Sequence, residues 1–93
     1  MNFTRPKDGY SIYTKNNCNY CTHVKSLLPN AYIIAADNYI TENREHFLAF
    51  VDNLSGKRPR TFPMVFLNKR FIGGFKETKL YIDELESFKF VEF

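Results

Sequence analysis

The sequence predicts one α/β domain: a mixed four-stranded sheet flanked by helices, in the order strand, helix, strand, helix, strand, strand, helix. Three observations predict it. The chain has 93 residues, room for one domain, 1–93, with its core over about 9–88. Its composition, 44% hydrophobic and 17% aromatic, is enough to build a core and argues against a disordered chain. Apolar segments of strand length alternate with segments of helical period, and the pattern closes on two strands joined by a tight turn.

Residues 1–8 read as a short polar lead-in. Gly9 to Thr14 is rich in residues that fit a pleated surface and reads as the first strand. Lys15-Asn16-Asn17 breaks it. A helix then opens near Cys18 and runs to about Leu28, with Val24, Leu27 and Leu28 on one face, stopped by Pro29-Asn30. Ala31 to Ala36 is continuously apolar, the pattern of a strand covered on both faces. Asp37 to Ile40 reads as a connection. Thr41 is the expected N-cap of the second helix, with Glu42 and Glu45 in or near its first turn. Phe47, Leu48, Val51 and Leu54 recur at helical spacing, and Gly56 ends the helix. Lys57 to Thr61 is a basic loop, and Phe62-Pro63 leads into the strand Met64 to Leu67. Asn68-Lys69 is a tight turn and Arg70 to Ile72 the returning strand, ended by Gly73-Gly74. A last helix from about Thr78 turns Tyr81, Ile82, Leu85 and Phe88 inward. The first two strands, with a helix between them, call for a right-handed parallel crossover.

The formal charge of +3 is mild, with lysines and arginines spread among acids. Solvated surface is the plain reading; a basic rim drawing an anionic substrate is the sharper one. No nucleic-acid motif is present. No apolar run reaches the roughly 20 residues of a membrane span, and the first eight residues lack the apolar core of a signal peptide. A cytoplasmic location is therefore expected, where two cysteines do not suggest a structural disulfide framework.

Those two cysteines, Cys18 and Cys21, sit where a strand hands over to a helix. Residues three apart share a helix face with side-chain roots roughly 5–6 Å apart, a separation that a disulfide spans with little distortion. A helix start presents unpaired N–H groups and partial positive charge, which favour thiolate over thiol. Cys18, nearer that end, is the expected nucleophile and Cys21 the resolving thiol. The competing roles are half of a zinc site or a buried inert pair. Zinc needs four ligands, and only His23 and His46 remain as soft partners, so no metal site is expected.

Four features stand together: Lys15 ahead of Cys18-Asn19-Tyr20-Cys21, Tyr20 within the pair, Thr61-Phe62-Pro63 before a strand, and Ile72-Gly73-Gly74 after the hairpin. In this order and spacing the chain resembles a dithiol glutaredoxin, from about residue 9 to 88. The resemblance implies the thioredoxin-like fold and a glutathione-dependent thiol–disulfide oxidoreductase that reduces protein disulfides and glutathione mixed disulfides. It implies that Pro63 is cis beside the thiols and that the Phe62 backbone pairs with the extended tripeptide. It implies that Lys15 meets the glycine carboxylate of glutathione, that Tyr20 lines the groove, that Gly74 lets the backbone approach the ligand closely, and that Phe75, Lys76 and Glu77 receive the γ-glutamyl end.

Three departures qualify the resemblance. Asn19 stands where the family motif has proline, which should alter redox poise. Phe62 replaces a smaller β-branched residue, and Phe75-Lys76-Glu77 replaces a short polar and aspartate pair. Two alternatives follow: a thioredoxin-like electron donor, for instance to ribonucleotide reductase, or a dimer holding a [2Fe–2S] cluster through Cys18 and glutathione. The expected partners are glutathione and disulfide-bearing or glutathionylated proteins, acting on a monomer without nucleic acid or membrane.

Overall fold

The computed structural model describes residues 2–88, the side chain of Phe88 excepted. The elements follow the expected order: β1 (Tyr10–Thr14), α1 (Asn19–Leu27), β2 (Tyr32–Ala35), α2 (Asp37–Ser55), β3 (Met64–Leu67), β4 (Arg70–Gly73) and α3 (Phe75–Phe88). The strands form one mixed sheet in the order β2-β1-β3-β4. β1 pairs parallel with β2, setting Ile12 beside Ile33, and antiparallel with β3, setting Ile12 beside Val65. β3 and β4 form the hairpin, its turn made by Asn68 and Lys69 at φ 49° and 69°. No helix is long and apolar enough to cross a membrane among the described residues.

Side-chain alternation sends successive residues of the central strands to opposite faces. Tyr13, Met64 and Phe66 join Ile34, Ala36, Phe47 and Val51 in a core beneath α2. Ile12 and Val65 join Val24 and Leu28 on the other face, with Ile72, Phe75 and Ile82 packed against them from β4 and α3. The sheet is thus a middle layer, with α2 on one side and α1 and α3 on the other.

Several expectations are corrected. The lead-in is not merely polar: Phe3 packs edge-on to Tyr39 and Phe47, and Tyr13 Oη donates to the Thr4 carbonyl at 2.6 Å. The apolar run 31–36 yields an edge strand, not a doubly covered one, and Ile33 is 40% exposed. Leu27 and Leu85 face outward; Leu85 is 43% exposed. The segment 37–40 is helical, because Tyr39 and Ile40 gain core contacts by continuing α2 backwards. Thr41 is therefore no N-cap; its hydroxyl donates to the Asp37 carbonyl at 3.2 Å inside the helix. The break comes two residues later, at Asn43, whose φ of −149° and ψ of 51° kink α2.

α3 starts three residues before Thr78. Gly74 precedes the helix and its N–H donates to Glu77 Oε1 at 2.9 Å, so the fourth residue of the turn caps the helix start. Thr78 is instead buried, and its hydroxyl has no partner among the described residues. The expected inward placement of Phe88 and the tail, residues 89–93, lie outside the described residues.

Candidate active site

β1 ends at Thr14 and the chain turns through Lys15, Asn16 and Asn17 before α1. Asp37 Oδ1 holds this turn by accepting the Asn16 N–H at 2.8 Å, and Asn17 takes the left-handed conformation that asparagine tolerates. Cys18 follows as the N-cap of α1, with extended backbone. Helical geometry then brings Cys21 back beneath it, Cα atoms 5.2 Å apart, and the two are joined in a disulfide. The Cys21 N–H donates to Cys18 Sγ at 3.2 Å. Sulfur takes the place of the serine or aspartate oxygen that usually caps a helix.

The two sulfurs differ in access. Cys18 is half-buried at the mouth of a groove, while Cys21 is 2% exposed behind it. In the reduced state the capping N–H and the helix terminus would favour negative charge on Cys18. Across from Cys18, Phe62–Pro63 is a cis peptide bond, and the Phe62 carbonyl oxygen lies 3.7 Å from Cys18 Sγ. The cysteine turn and the proline loop, 44 residues apart, thus meet at one sulfur.

The groove encloses about 960 Å³. Lys15, Cys18, Tyr20, Phe62, Pro63, Gly74, Phe75 and Lys76 all line it, so the sequence-derived candidates other than Cys21 share one surface. Tyr20 is 59% exposed and stacks on Phe75, ring centroids 5.4 Å apart and planes 24° apart. His23 packs against the same Phe75 ring at 5.7 Å. The Phe62 ring lies nearly parallel to Phe47 at 6.4 Å, anchoring the proline loop in the core beneath α2.

Ile40, Arg44 and Glu77 also line the groove. Ile40 and Arg44 come from a stretch of α2 that carries no motif, so only the tertiary fold reveals them. Arg60 contributes from the basic loop. Its guanidinium makes a two-pronged ion pair with Asp52, at 2.6 and 2.9 Å. The hydrogen bond from Arg60 holds the Asp52 carboxyl below its ordinary range, and the same bond raises the Arg60 pKa. Among the described residues, Lys15, Arg44, Arg60 and Lys76 line the groove with one carboxylate, Glu77, making it cationic. Glu77 already accepts the Gly74 N–H, so the helix start offers one N–H fewer than the sequence suggests. Gly73 must lack a side chain here: its φ is 139°, and a Cβ would stand 2.6 Å from Cβ of Glu77. Among the described residues, no three His, Cys, Asp or Glu side chains cluster to hold a metal ion.

A half-buried capping sulfur at a groove mouth, a buried partner sulfur and a cationic groove can perform thiol–disulfide exchange on an anionic substrate. Compared with known proteins, the chain matches the glutaredoxin family model over residues 11–72, two thirds of its length. Among solved structures it is similar to glutaredoxin 1 of Francisella tularensis complexed with cacodylate. Identity there is 26% and the TM-score 0.72, covering 85% of this chain and 96% of that one. The holo form of glutaredoxin C1 from Populus tremula x tremuloides has a similar fold at 21% identity and TM-score 0.67, covering 88% of this chain and 81% of that one. So does a buckwheat glutaredoxin–glutathione complex, at 24% identity and TM-score 0.64, covering 83% and 71%. No curated protein matches at the same stringency.

Proposed function

This chain belongs to the glutaredoxin family, whose members are thiol oxidoreductases, and from that premise we propose that it is a glutathione-dependent reductase of protein disulfides and glutathione mixed disulfides. The observation that carries the reading is the asymmetry of the pair: Cys18 caps α1 at the mouth of a cationic groove, and Cys21 is buried behind it. The accessible, N–H-stabilised sulfur is the nucleophile. Its thiolate attacks the glutathione sulfur of a mixed disulfide, and the substrate leaves as a thiolate. A second glutathione thiolate then attacks the glutathione sulfur bound to Cys18 and regenerates the enzyme. With a protein disulfide, Cys21 attacks Cys18 Sγ instead and releases the reduced substrate.

In this reading glutathione lies extended along the groove. Its glycine carboxylate faces Lys15 and Arg44, its backbone pairs with Phe62 beside Pro63, and its γ-glutamyl end reaches Gly74, Phe75 and Lys76. Glu77, on the groove wall, is placed to receive the γ-glutamyl ammonium group. The buckwheat protein, of similar fold, was solved as a glutathione complex, which supports the tripeptide as ligand. A [2Fe–2S] cluster would have to draw ligands from outside one chain, since Cys21 is buried and Cys18 is the accessible sulfur.

The test is a coupled assay with glutathione, glutathione reductase and a small glutathione mixed disulfide. Cys18→Ser is expected to abolish turnover, while Cys21→Ser retains part of it, because glutathione can resolve the intermediate alone. Turnover without Cys18 would overturn the assignment. Reduction by thioredoxin reductase but not by glutathione would move the protein to the thioredoxin-like donors.

A further inference from the structure

The active-site groove does not end at the cis-proline. A second cavity of about 400 Å³ adjoins it, and Arg60, Thr61, Pro63, Gly74 and Glu77 line both. Phe71 and Ile72 of the edge strand β4, both half-buried, line this extension together with Lys57 and Arg58, both exposed. Its one acidic residue among the described residues, Glu77, lies on the wall shared with the groove and accepts the Gly74 N–H through Oε1. Arg60, likewise, is held by Asp52. Lys57 and Arg58 make no ion pair among the described residues.

We infer that the extension is a docking track for the substrate protein, and that it takes an extended, acidic polypeptide segment flanking the target cysteine. The inference rests on the exchange role proposed for Cys18 and Cys21 and adds the chemical class of the partner. A tripeptide at Cys18 fits the first cavity. A cysteine embedded in a protein carries chain that must leave the sulfur, and the contiguous extension offers that chain a path. The edge strand β4 in the lining suits an extended chain, and the unpaired cations suit carboxylates. Charges so placed act mostly on encounter, through attraction that salt screens.

The test is single-turnover reduction of symmetric peptide disulfides by the pre-reduced protein, which uses no glutathione. The Cys18 thiolate attacks one peptide sulfur and expels the first peptide as a thiolate. The Cys21 thiolate then attacks Cys18 Sγ and expels the second. Two electrons pass from the protein dithiol to the peptide disulfide, and its two protons end on the peptide thiols. Three peptides of equal length carry acidic, neutral or basic residues on both sides of the cysteine.

The acidic disulfide is expected to react about tenfold faster than the neutral one at low salt. The advantage should vanish near 1 M salt, where the screening length is about 3 Å. The double variant Lys57→Glu/Arg58→Glu, altered only at exposed loop positions, should lose the preference yet reduce hydroxyethyl disulfide at the wild-type rate. Arg58→Gln should lose part of it. Equal rates for the three peptides, or a preference that survives charge reversal, would overturn the inference. So would an oligothymidylate that binds this edge and blocks all three peptides while the acidic one holds no advantage. Loss of glutathione-coupled turnover with the peptide preference intact would sink the electron source proposed above and leave this inference standing.

Discussion

Tyr13 does two jobs at once. Its ring fills the core beneath α2, edge-on to Phe47 and Phe66, while its hydroxyl holds the lead-in by donating to Thr4. Burial, with a smaller push from Tyr39, raises its pKa well above the ordinary tyrosine value, against a lowering by Arg5. Burial also raises Tyr10, with a smaller effect from Tyr81. A tyrosine whose folded pKa is raised holds its proton more tightly in the folded state. Its contribution to stability is complete below the unfolded value near 10 and falls as the pH climbs past it. Tyr13→Phe should cost about 1–2 kcal/mol near neutral pH, by orphaning the Thr4 carbonyl. It should also shrink the loss of stability between about pH 8 and 11. Urea unfolding of the oxidised protein at both pH values checks this, and an unchanged alkaline loss would remove Tyr13 as its source. None of this is visible in the sequence, where Tyr13 is one strand aromatic among sixteen aromatics. The cysteines are the opposite case. Their spacing and their place after a strand make a pair at a helix start legible, because helix periodicity is local; that Cys18 itself caps the helix is seen only in the structure.

At the scale of elements, the strands and the hairpin are where the sequence puts them, to within a residue or two. Turn chemistry is local too: Asn68-Lys69 marks its own left-handed pair. The second helix shows the limit. Thr41 has the chemistry of an N-cap, yet the packing of Tyr39 and Ile40 extends the helix back to Asp37 and leaves Thr41 inside. Thr41→Ala should therefore change stability by less than about 0.5 kcal/mol, whereas removing a true cap costs about 1. Thermal unfolding of the variant checks it, and a loss of 1 kcal/mol or more would restore Thr41 as a cap. β2 fails for a related reason. A continuous apolar run does not say how many neighbours a strand has, and Ile33 reaches solvent because β2 lies at the sheet edge. Arg44 was illegible for a third reason: a helix residue meets the groove only after α2 is laid across the sheet.

Over the whole molecule, Phe47 is the hub that links fold to site. It contacts Phe3, Tyr13, Tyr39 and Phe50, and its ring lies parallel to Phe62 on the proline loop. Phe47→Ala should cost about 3–5 kcal/mol, a large share of the roughly 5–15 kcal/mol available to a domain. Chemical denaturation gives the size of the loss, and a cost under 1 kcal/mol would show that the cluster refills the space. The two-faced core itself was readable in outline, since the apolar residues of the helices recur at helical spacing and those of β1 and β3 alternate.

The position of β1 also sets a schedule for the newborn chain. Its parallel neighbour β2 follows about twenty residues later, but its antiparallel neighbour β3 pairs with it across a gap of about fifty to sixty residues. During synthesis the β1–α1–β2 unit leaves the ribosome with one flank of β1 bare and with Ile12 and Tyr13 not yet covered by β3 or Phe47. That open flank is a surface on which two nascent chains can zip together. The hazard ends only when Met64 to Leu67 emerge, so the last third of the chain acts as guardian of the first.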